Sequence, residues 1–305
     1  MTQENANYII ETQNLTKVYG KKTVLDSVNM HVAKGDIYGF IGKNGAGKTT
    51  LMKLLLGMTQ PTVGTMQLFG SNDLHQGRHR IGALIEAPAF YNNCSAYENL
   101  KRFAILANAE KHDLNALLEF VGLANVGKKP AGKFSLGMKQ RLGIALAMLG
   151  EPELLILDEP INGLDPEGIK EIRDLLLRLN REKGVTILVS SHLLDELAKI
   201  TTRYGIINNG RLVEEITADE MTKHCQRKLC IVVDKPEQAI KLLKRLYPKV
   251  EIYRHENEIQ MLGNELDSAQ INRMLVMEGL NVLSLNFATG SMEDYFIERM
   301  GGKHE

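Results

Sequence analysis

Three short runs of apolar residues have the length and composition of buried strands. They occupy residues 37–41, 154–157 and 185–189, and glycine or polar residues follow each of them directly. Continuous apolar runs of this length are typical of parallel strands that are covered on both faces of an α/β sheet. Ligands bind outside the carboxyl ends of such strands, so the residues after each run are candidates for chemistry.

Helical spacing of apolar residues predicts two amphipathic helices between these strands. The first runs from residue 96 to about residue 109, and the second occupies residues 168–184, where Gly184 stops it. Leu100, Phe103, Ala104 and Ala107 lie on one face of the first helix, and we expect part of that face to belong to the core and its rim to be exposed. The predicted stripe of the second helix consists of Ile169, Ile172, Leu175, Leu176 and Leu179, and we expect this helix to cover the sheet.

Composition restricts the class of protein. The chain has 305 residues, of which 44% are hydrophobic and 24% are charged, as in a soluble globular protein. Lysine plus arginine and aspartate plus glutamate both number 37, so no net field favours nucleic acid. The three cysteines suit a reducing cytosol. Without an apolar run of about 18 residues or a signal peptide, we expect a cytosolic protein that contacts membranes through another chain.

The segment GKNGAGKTT, residues 42–50, fits the phosphate-loop pattern G-x-x-x-x-G-K-[ST] between a predicted strand and a helix. Backbone N–H groups of such a loop face phosphates at the positive end of the helix. We expect Lys48 to reach the β- and γ-phosphates of ATP and Thr49 to bind Mg²⁺. A glycine-rich turn without a ligand is the alternative. The predicted phosphate-binding residues are Gly42, Lys43, Asn44, Gly45, Ala46, Gly47, Lys48, Thr49 and Thr50.

Two carboxylates, Asp158 and Glu159, follow the second apolar run directly. At the carboxyl edge of the sheet, Asp158 is expected to hold Mg²⁺ through water, and Glu159 to polarise the attacking water as general base. The alternative is a helix-capping aspartate with a solvated neighbour. A complete phosphate loop in the same chain favours catalysis.

Several motifs in a fixed order make residues of about 8–220 resemble the ATP-binding subunits of ABC transporters. After the phosphate loop come FSLGMKQR (134–141), LLILDEP (154–160), GLDP (163–166) and SSH (190–192). The resemblance implies an α/β P-loop NTPase fold of the ABC type, with a mixed sheet core and a helical insertion at about residues 88–150. The nucleotide-binding domain is expected at residues 1–217.

The resemblance also implies a composite ATP site. Ser135 can cap a helix whose amino end attracts anions, and Gly137 permits a phosphate to approach closely. In the family this segment closes over ATP bound to the other subunit, which implies a head-to-tail dimer with two ATP. By the same resemblance His192 holds the catalytic water, Asp165 lies at the dimer interface and Tyr19 stacks on adenine.

Two residues depart from the family pattern. Leu136 stands where the family commonly has glycine, which puts one close backbone approach in doubt. Glu86 stands where a glutamine beside Mg²⁺ is usual, and a glutamate only accepts hydrogen bonds and adds negative charge there. Glu86 is therefore expected to act as a metal ligand and catalytic residue that alters turnover, with a neutral substitution as the alternative. The segment IEAPAFY, residues 85–91, resembles the branch associated with bacitracin resistance and lantibiotic immunity.

Residues 218–305 alternate strand and helix periods and are expected to form a small α+β domain. Their position alone suggests a regulatory or dimer-supporting role.

Three functions remain open from the sequence. The first is a transport ATPase, a homodimer or heterodimer of ATP-binding subunits on the cytoplasmic face of the membrane, which drives a separately encoded transmembrane permease. Its docking surface is expected on the exposed rim of the helix that begins at residue 96. The second is a translation or DNA-repair ATPase, and the third is a nucleotide sensor without turnover. The single cassette, the absent basic patch and the complete set of catalytic residues favour transport.

Overall fold

The computed structural model describes residues 7–225, 227–255, 258–263, 266–289 and 291–299. The chain forms two compact units that divide between Ala218 and Asp219.

The first unit contains two sheets with helices between their strands. Its strands are β1 Tyr8–Tyr19, β2 Lys22–Val28, β3 His31–Ala33, β4 Ile37–Ile41, β5 Val63–Leu68, β6 Ile81–Leu84, β7 Leu154–Asp158, β8 Thr186–Ser191, β9 Arg203–Asn208 and β10 Arg211–Thr217. Its helices are α1 Lys48–Leu55, α2 Leu74–Arg78, α3 Ala96–Leu106, α4 Leu114–Phe120, α5 Leu136–Ala147, α6 Pro166–Lys183 and α7 Leu194–Ala198.

The larger sheet has six strands in the order β10-β9-β4-β8-β7-β6. Strands β9, β4, β8, β7 and β6 are parallel neighbours, and β10 is antiparallel to β9. The smaller sheet is antiparallel, with β2, β3 and β5 all paired to β1. The predicted mixed α/β sheet core is therefore confirmed.

The three apolar runs are the central strands β4, β7 and β8, and every residue of these strands is buried. Side chains on both faces pack against other elements, which explains why the runs are continuous instead of alternating. The register pairs Asp158 of β7 with Ser190 of β8, and Ser190 with Phe40 of β4. The carboxyl ends of the three strands therefore meet at the same edge of the sheet.

The two predicted helices are α3 and α6. Helix α3 begins with a capping box between Ser95 and Glu98, and it ends at Leu106, three residues before the predicted end. Asn108, with φ of 52°, has left-handed backbone that the helix cannot continue through. Helix α6 stops at Gly184 as predicted, but it begins at Pro166, two residues before the predicted start, because Asp165 caps it and proline suits a first helical position.

The predicted faces are largely those that pack against the domain. Leu100 and Ala104 of α3 are buried and Phe103 is half-buried, whereas Ala107 is exposed because it lies at the helix end. In α6, Ile169 is half-buried at the edge of an otherwise buried stripe. The buried members of that stripe are Ile172, Leu175, Leu176 and Leu179.

The second unit is an α+β fold of the split βαβ type. Its elements, together with the helix at the division, are α8 Ala218–His224, β11 Arg227–Val233, α9 Pro236–Leu246, β12 Glu251–His255, β13 Glu258–Leu262, α10 Ser268–Met277, β14 Val282–Thr289 and α11 Met292–Arg299. The four strands form an antiparallel sheet in the order β12-β13-β11-β14. Its separate core includes Leu229, Ile231, Leu243, Ile259 and Ile271.

No helix in the described part of the chain is long and apolar enough to span a bilayer.

Candidate functional site

The phosphate loop joins the end of β4 to the start of α1, and two of its glycines are required by close packing. A Cβ at Gly42 would lie 2.5 Å from the carbonyl oxygen of Ile207. Gly47 has φ of 112°, and a Cβ there would lie 2.7 Å from Leu25 Cδ2. The loop therefore keeps a backbone that residues with side chains would distort.

The remaining predicted loop residues lie around this turn. Lys43, Asn44 and Gly45 are exposed at its tip, Ala46 is buried, and Thr50 is half-buried in the first turn of α1. The first N–H groups of an α-helix have no partner within the helix, so those of α1 are available as donors to an anion bound at the loop.

Lys48 is only 6% exposed, and its ammonium group lies within the loop. The Nζ atom donates a hydrogen bond to the carbonyl oxygen of Gly42 at 2.6 Å, and it lies 3.4 Å from Oε1 of Glu159. An ammonium group carries three protons, so one more donor direction remains for a phosphate oxygen.

Asp158 ends β7 beside the phosphate loop, and it is 4% exposed. Its Oδ2 atom accepts a hydrogen bond from the Thr49 hydroxyl at 2.7 Å, and its Oδ1 atom accepts one from the Ser190 hydroxyl at 2.6 Å. The structure thus brings the two predicted metal ligands, Thr49 and Asp158, together from positions more than one hundred residues apart.

Glu159 lies between Lys48 and His192. Its Oε2 atom is 2.8 Å from Nδ1 of His192, and its backbone N–H donates to the Ser190 hydroxyl at 3.0 Å. Glu159 has φ of 51°, a left-handed conformation that is uncommon for residues other than glycine and that clusters at functional sites. The turn after β7 therefore directs the carboxylate toward the phosphate loop and the end of β8.

Glu86 follows β6, and it also has left-handed backbone with φ of 62°. Its carboxylate forms an ion pair of 2.7 Å with Lys53 near the end of α1, and this hydrogen bond raises the pKa of Lys53. Within the described contacts, Glu86 is joined to α1 and not to Thr49 or Asp158. Its predicted metal contact therefore remains a prediction.

The motif residues of α5 and α6 meet at a second location. Ser135 caps α5 by accepting from the N–H of Met138 at 3.3 Å, and Asp165 caps α6 by accepting from the N–H of Gly168 at 3.2 Å. Both helix starts line one cavity of about 520 Å³, to which no phosphate-loop residue contributes. These two helix starts are thus separate from the phosphate loop of the same chain, and their contact with ATP remains a prediction.

Gly137, in the first turn of α5, lines this cavity. A Cβ at Gly137 would meet nothing closer than 3.9 Å, so the packing of this chain does not itself require glycine there. Leu136 is 44% exposed beside it, and its Cδ2 atom lies against Gly163. Leu136, which stands where the family commonly has glycine, therefore adds an apolar side chain to the wall of the cavity.

Tyr19 ends β1 and is 48% exposed, as a stacking platform requires. The Nζ atom of Lys17 lies 4.8 Å from the centre of its ring, a cation–π contact on one face. Stacking of adenine on Tyr19 remains a prediction.

Two residues of the site were missed by sequence reasoning, Ser190 and Lys53. Ser190 belongs to the motif SSH, in which the resemblance assigns a role only to His192. A signal was present, since Ser190 follows a predicted strand at the same edge as Asp158. Lys53 carried no comparable signal, because its partner Glu86 is distant in sequence.

A glycine-rich loop around a buried lysine, with a threonine and two strand-end carboxylates, defines a P-loop nucleotide-binding cassette. A family model described as ABC transporter matches residues 25–162. The chain is 44% identical to the bacitracin transport ATP-binding protein BcrA of Enterococcus faecalis, over 97% of each chain. It is 44% identical to the lantibiotic transport ATP-binding protein SrtF of Streptococcus pyogenes, over 68% of this chain and 90% of SrtF.

Solved structures agree with this class. The chain resembles the ATP-binding subunit of an ABC transporter, with 30% identity, a TM-score of 0.61, and coverage of 70% of this chain and 91% of that one. The protein cbiO1 from Clostridium perfringens, part of the ABC transporter complex cbiONQ, is 25% identical with a TM-score of 0.65, over 79% of this chain and 97% of that one.

The chain belongs to the ABC transporter family, as an ATP-binding subunit that hydrolyses ATP. The resemblance stated from the sequence motifs is thereby confirmed. The named relatives are transport proteins, so the translation and DNA-repair alternatives are not favoured.

Proposed function

We propose that this chain is the motor subunit of an exporter of peptide antibiotics of the bacitracin type, and that it drives a separately encoded transmembrane permease. The observation that carries the motor function is the position of Glu159. Its carboxylate lies between the phosphate-loop Lys48 and His192, one residue after the Asp158 that binds Thr49. A carboxylate in this position supports a role as the base that orients the attacking water beside a bound γ-phosphate.

The residues present fit Mg²⁺ as a cofactor. Thr49 and Asp158 offer a hydroxyl and a carboxylate oxygen at one point beside the loop, and Mg²⁺ prefers oxygen ligands with phosphates and water completing its shell. When bound, Mg²⁺ neutralises charge on the β- and γ-phosphate oxygens.

The remaining steps belong to the side chains around the γ-phosphate. Glu159 accepts the proton of the attacking water as general base. His192 is hydrogen-bonded to Glu159, and it orients that carboxylate and the water. Lys48 and the N–H groups at the start of α1 stabilise the negative charge that develops on the phosphate oxygens. Glu86, which precedes the helical insertion in the chain, forms an ion pair with Lys53 of α1, the helix that begins at the phosphate loop.

We propose that a second cassette completes each ATP site. The cavity at the start of α5 contains Ser135 and Gly137 but none of the phosphate-loop residues. The room beside Gly137 is explained if the phosphate of ATP bound to another subunit approaches there. Since one chain carries both halves, two identical chains arranged head to tail suffice, with a heterodimer as the alternative composition. Asp165 at the same cavity then lies at the dimer interface.

The similarity to BcrA supports the proposed substrate. It extends over 97% of this chain and therefore includes the second unit, whereas the alignment with SrtF covers 68% of it. We therefore favour bacitracin over a lantibiotic. The proposed location is the cytoplasmic face of the membrane, where the permease would contact the exposed apolar residues of α3. These residues are Tyr97, Ile105 and Leu106.

The first test compares the purified protein with Glu159→Gln in ATP and Mg²⁺. We expect the wild type to turn over, and Glu159→Gln to bind ATP without hydrolysing it and to elute as a dimer in gel filtration. A general base contributes about 10²–10⁴-fold to a rate, so hydrolysis should fall by that factor. Unchanged hydrolysis by Glu159→Gln would contradict the proposed site.

The second test concerns the substrate. In the cells that produce the protein, Glu159→Gln in the chromosomal gene should lower the inhibitory concentration of bacitracin. The inhibitory concentration of the lantibiotic nisin serves as the comparison and should not change. Sensitivity to nisin alone would reverse the substrate assignment, and no change for either peptide would reject export of these antibiotics.

A further inference from the structure

Ser190 occupies a central position in the site that the proposed roles of its neighbours do not use. It is the penultimate residue of β8, and its side chain is fully buried. The parallel register sets it beside Asp158 of β7. We infer that Ser190 is a positioning residue for ATP hydrolysis, whose hydroxyl fixes Asp158 and Glu159 relative to each other. This inference rests on the roles proposed above for Asp158 and Glu159.

The proton of the hydroxyl fixes the metal-binding carboxylate. It is donated to Oδ1 of Asp158 at 2.6 Å, a short hydrogen bond to a carboxyl oxygen. Because Oδ1 is engaged in this way, Oδ2 faces the Thr49 hydroxyl at 2.7 Å. Rotation of the carboxylate would break both bonds. Ser190 therefore determines which oxygen of Asp158 is presented beside the phosphate loop.

A lone pair of the same hydroxyl fixes the catalytic residue. A serine hydroxyl has one proton and two lone pairs, so it can donate to Asp158 and still accept. It accepts from the backbone N–H of Glu159 at 3.0 Å. Glu159 has left-handed backbone with φ of 51°, which is disfavoured for a residue with a side chain and needs support from its surroundings. From this conformation the carboxylate reaches Lys48 and His192.

One hydroxyl thus joins two groups with different functions. An alanine at position 190 would leave the buried Oδ1 of Asp158 and the N–H of Glu159 without this partner, but would not alter the phosphate loop or the strand itself. Outer partners of this kind in metal sites typically change metal affinity or activity by 10–100-fold when they are removed.

The test uses the full chain with Ser190→Ala, Ser190→Thr, Thr186→Val and Glu159→Gln. Thr186 is the matched control, because it is also fully buried in β8 and its hydroxyl accepts a bond from the N–H of Gly35 at 2.8 Å. It lies at the opposite end of the strand from Ser190. The measurements are kcat against Mg²⁺ concentration, equilibrium binding of a fluorescent ATP analogue in Mg²⁺ and in EDTA, and the thermal unfolding temperature.

We expect Ser190→Ala to lower kcat by about 10–100-fold and to raise the Mg²⁺ concentration for half-maximal rate. The gain in analogue affinity that Mg²⁺ provides should shrink, whereas affinity in EDTA should stay unchanged. Thr186→Val should keep the kcat and Mg²⁺ dependence of the wild type. Ser190→Thr retains the hydroxyl on a strand-favouring residue and should restore most of the rate.

The inference is overturned if Ser190→Ala and Thr186→Val lower the unfolding temperature alike while both keep the wild-type kcat and Mg²⁺ dependence. It is also overturned if a folded Ser190→Thr is as slow as Ser190→Ala. Glu159→Gln distinguishes a failure of the proposed function from a failure of the inference about Ser190. If it hydrolyses ATP like the wild type, the proposed role of Glu159 fails. If it stalls while Ser190→Ala is normal, only the inference about Ser190 fails.

Discussion

Replacing Gly47 of the phosphate loop by alanine should destabilise the first unit more than replacing Gly45, although both residues have positive φ. The angles are 112° at Gly47 and 80° at Gly45. A Cβ at Gly47 would lie 2.7 Å from Leu25 Cδ2 and 3.0 Å from the carbonyl oxygen of Val24, whereas a Cβ at Gly45 would meet nothing within 4 Å. The two positions therefore separate backbone strain from steric overlap.

The expected losses in the free energy of unfolding follow from these contacts and backbone angles. An alanine in left-handed backbone costs about 1–2 kcal/mol, and this is the whole expected loss for Gly45→Ala. Overlap in a packed interior adds about 1–3 kcal/mol, and at Gly47 part of it falls on a backbone oxygen that cannot rotate away. We therefore expect Gly47→Ala to reduce the free energy of unfolding by about 2–5 kcal/mol.

Urea unfolding measured by far-ultraviolet circular dichroism is the suitable assay, since the chain contains no tryptophan. The loss for each variant is taken from the transition of the first unit, because two compact units need not unfold together. ATP binding should weaken in both variants, with the greater loss for Gly47→Ala. Equal destabilisation by the two substitutions, or a larger effect of Gly45→Ala, would refute the steric reasoning.

Three further predictions concern residues outside the phosphate loop. Glu86→Gln weakens a largely exposed ion pair with Lys53. The free energy of unfolding should therefore fall by at most about 1 kcal/mol, and a thermal scan should show a fall in Tm of no more than about 2–4 °C. Burial raises the pKa of Cys230 from 9.0 to about 11, so the neutral thiol is favoured in the fold. The stability that the raised pKa of Cys230 gives the fold is complete below pH 9 and is lost as the pH rises toward 11. Between pH 9 and pH 11, the urea midpoint of unfolding should therefore fall less steeply for Cys230→Ala than for the wild type. The side chain of Asn99 is fully buried, and it accepts a hydrogen bond from the N–H of Tyr91 and donates one to the carbonyl oxygen of Tyr91. Asn99→Ala should therefore lower the free energy of unfolding by about 1–3 kcal/mol and speed hydrogen exchange of the Tyr91 amide. An unchanged exchange rate would contradict this role.

The central strands were predictable because burial on both faces leaves a local signal. Strands β4, β7 and β8 are continuous apolar runs, and no other element had to be known to recognise them. The carboxyl end of α6 was predictable for a similar reason, since Gly184 suits the end of a helix chemically, whereas the cap at Asp165 was not recognised and the predicted start was two residues late. The prediction for the end of α3 was less accurate, because the positive φ near the end of this helix is adopted by Asn108 and not by the glycine that usually indicates such a conformation.

The second unit illustrates the limit of local patterns. The alternating periods indicated strands and helices, but the strand order β12-β13-β11-β14 depends on how the two βαβ halves interleave. No periodicity in the sequence encodes which strands become neighbours.

The sequence by itself determined the chemistry that this protein can perform. The glycines and lysine of residues 42–50, the carboxylates Asp158 and Glu159 and the order of the motifs identify a nucleotide-binding cassette, because each residue type has a local conformational or chemical reason to stand where it does. Only the tertiary structure decided which of these groups form hydrogen bonds with each other. Ser190 bonds to Asp158 and Glu159 because β7 and β8 are neighbours in the sheet, and such pairings between distant segments arise from packing that no single segment specifies.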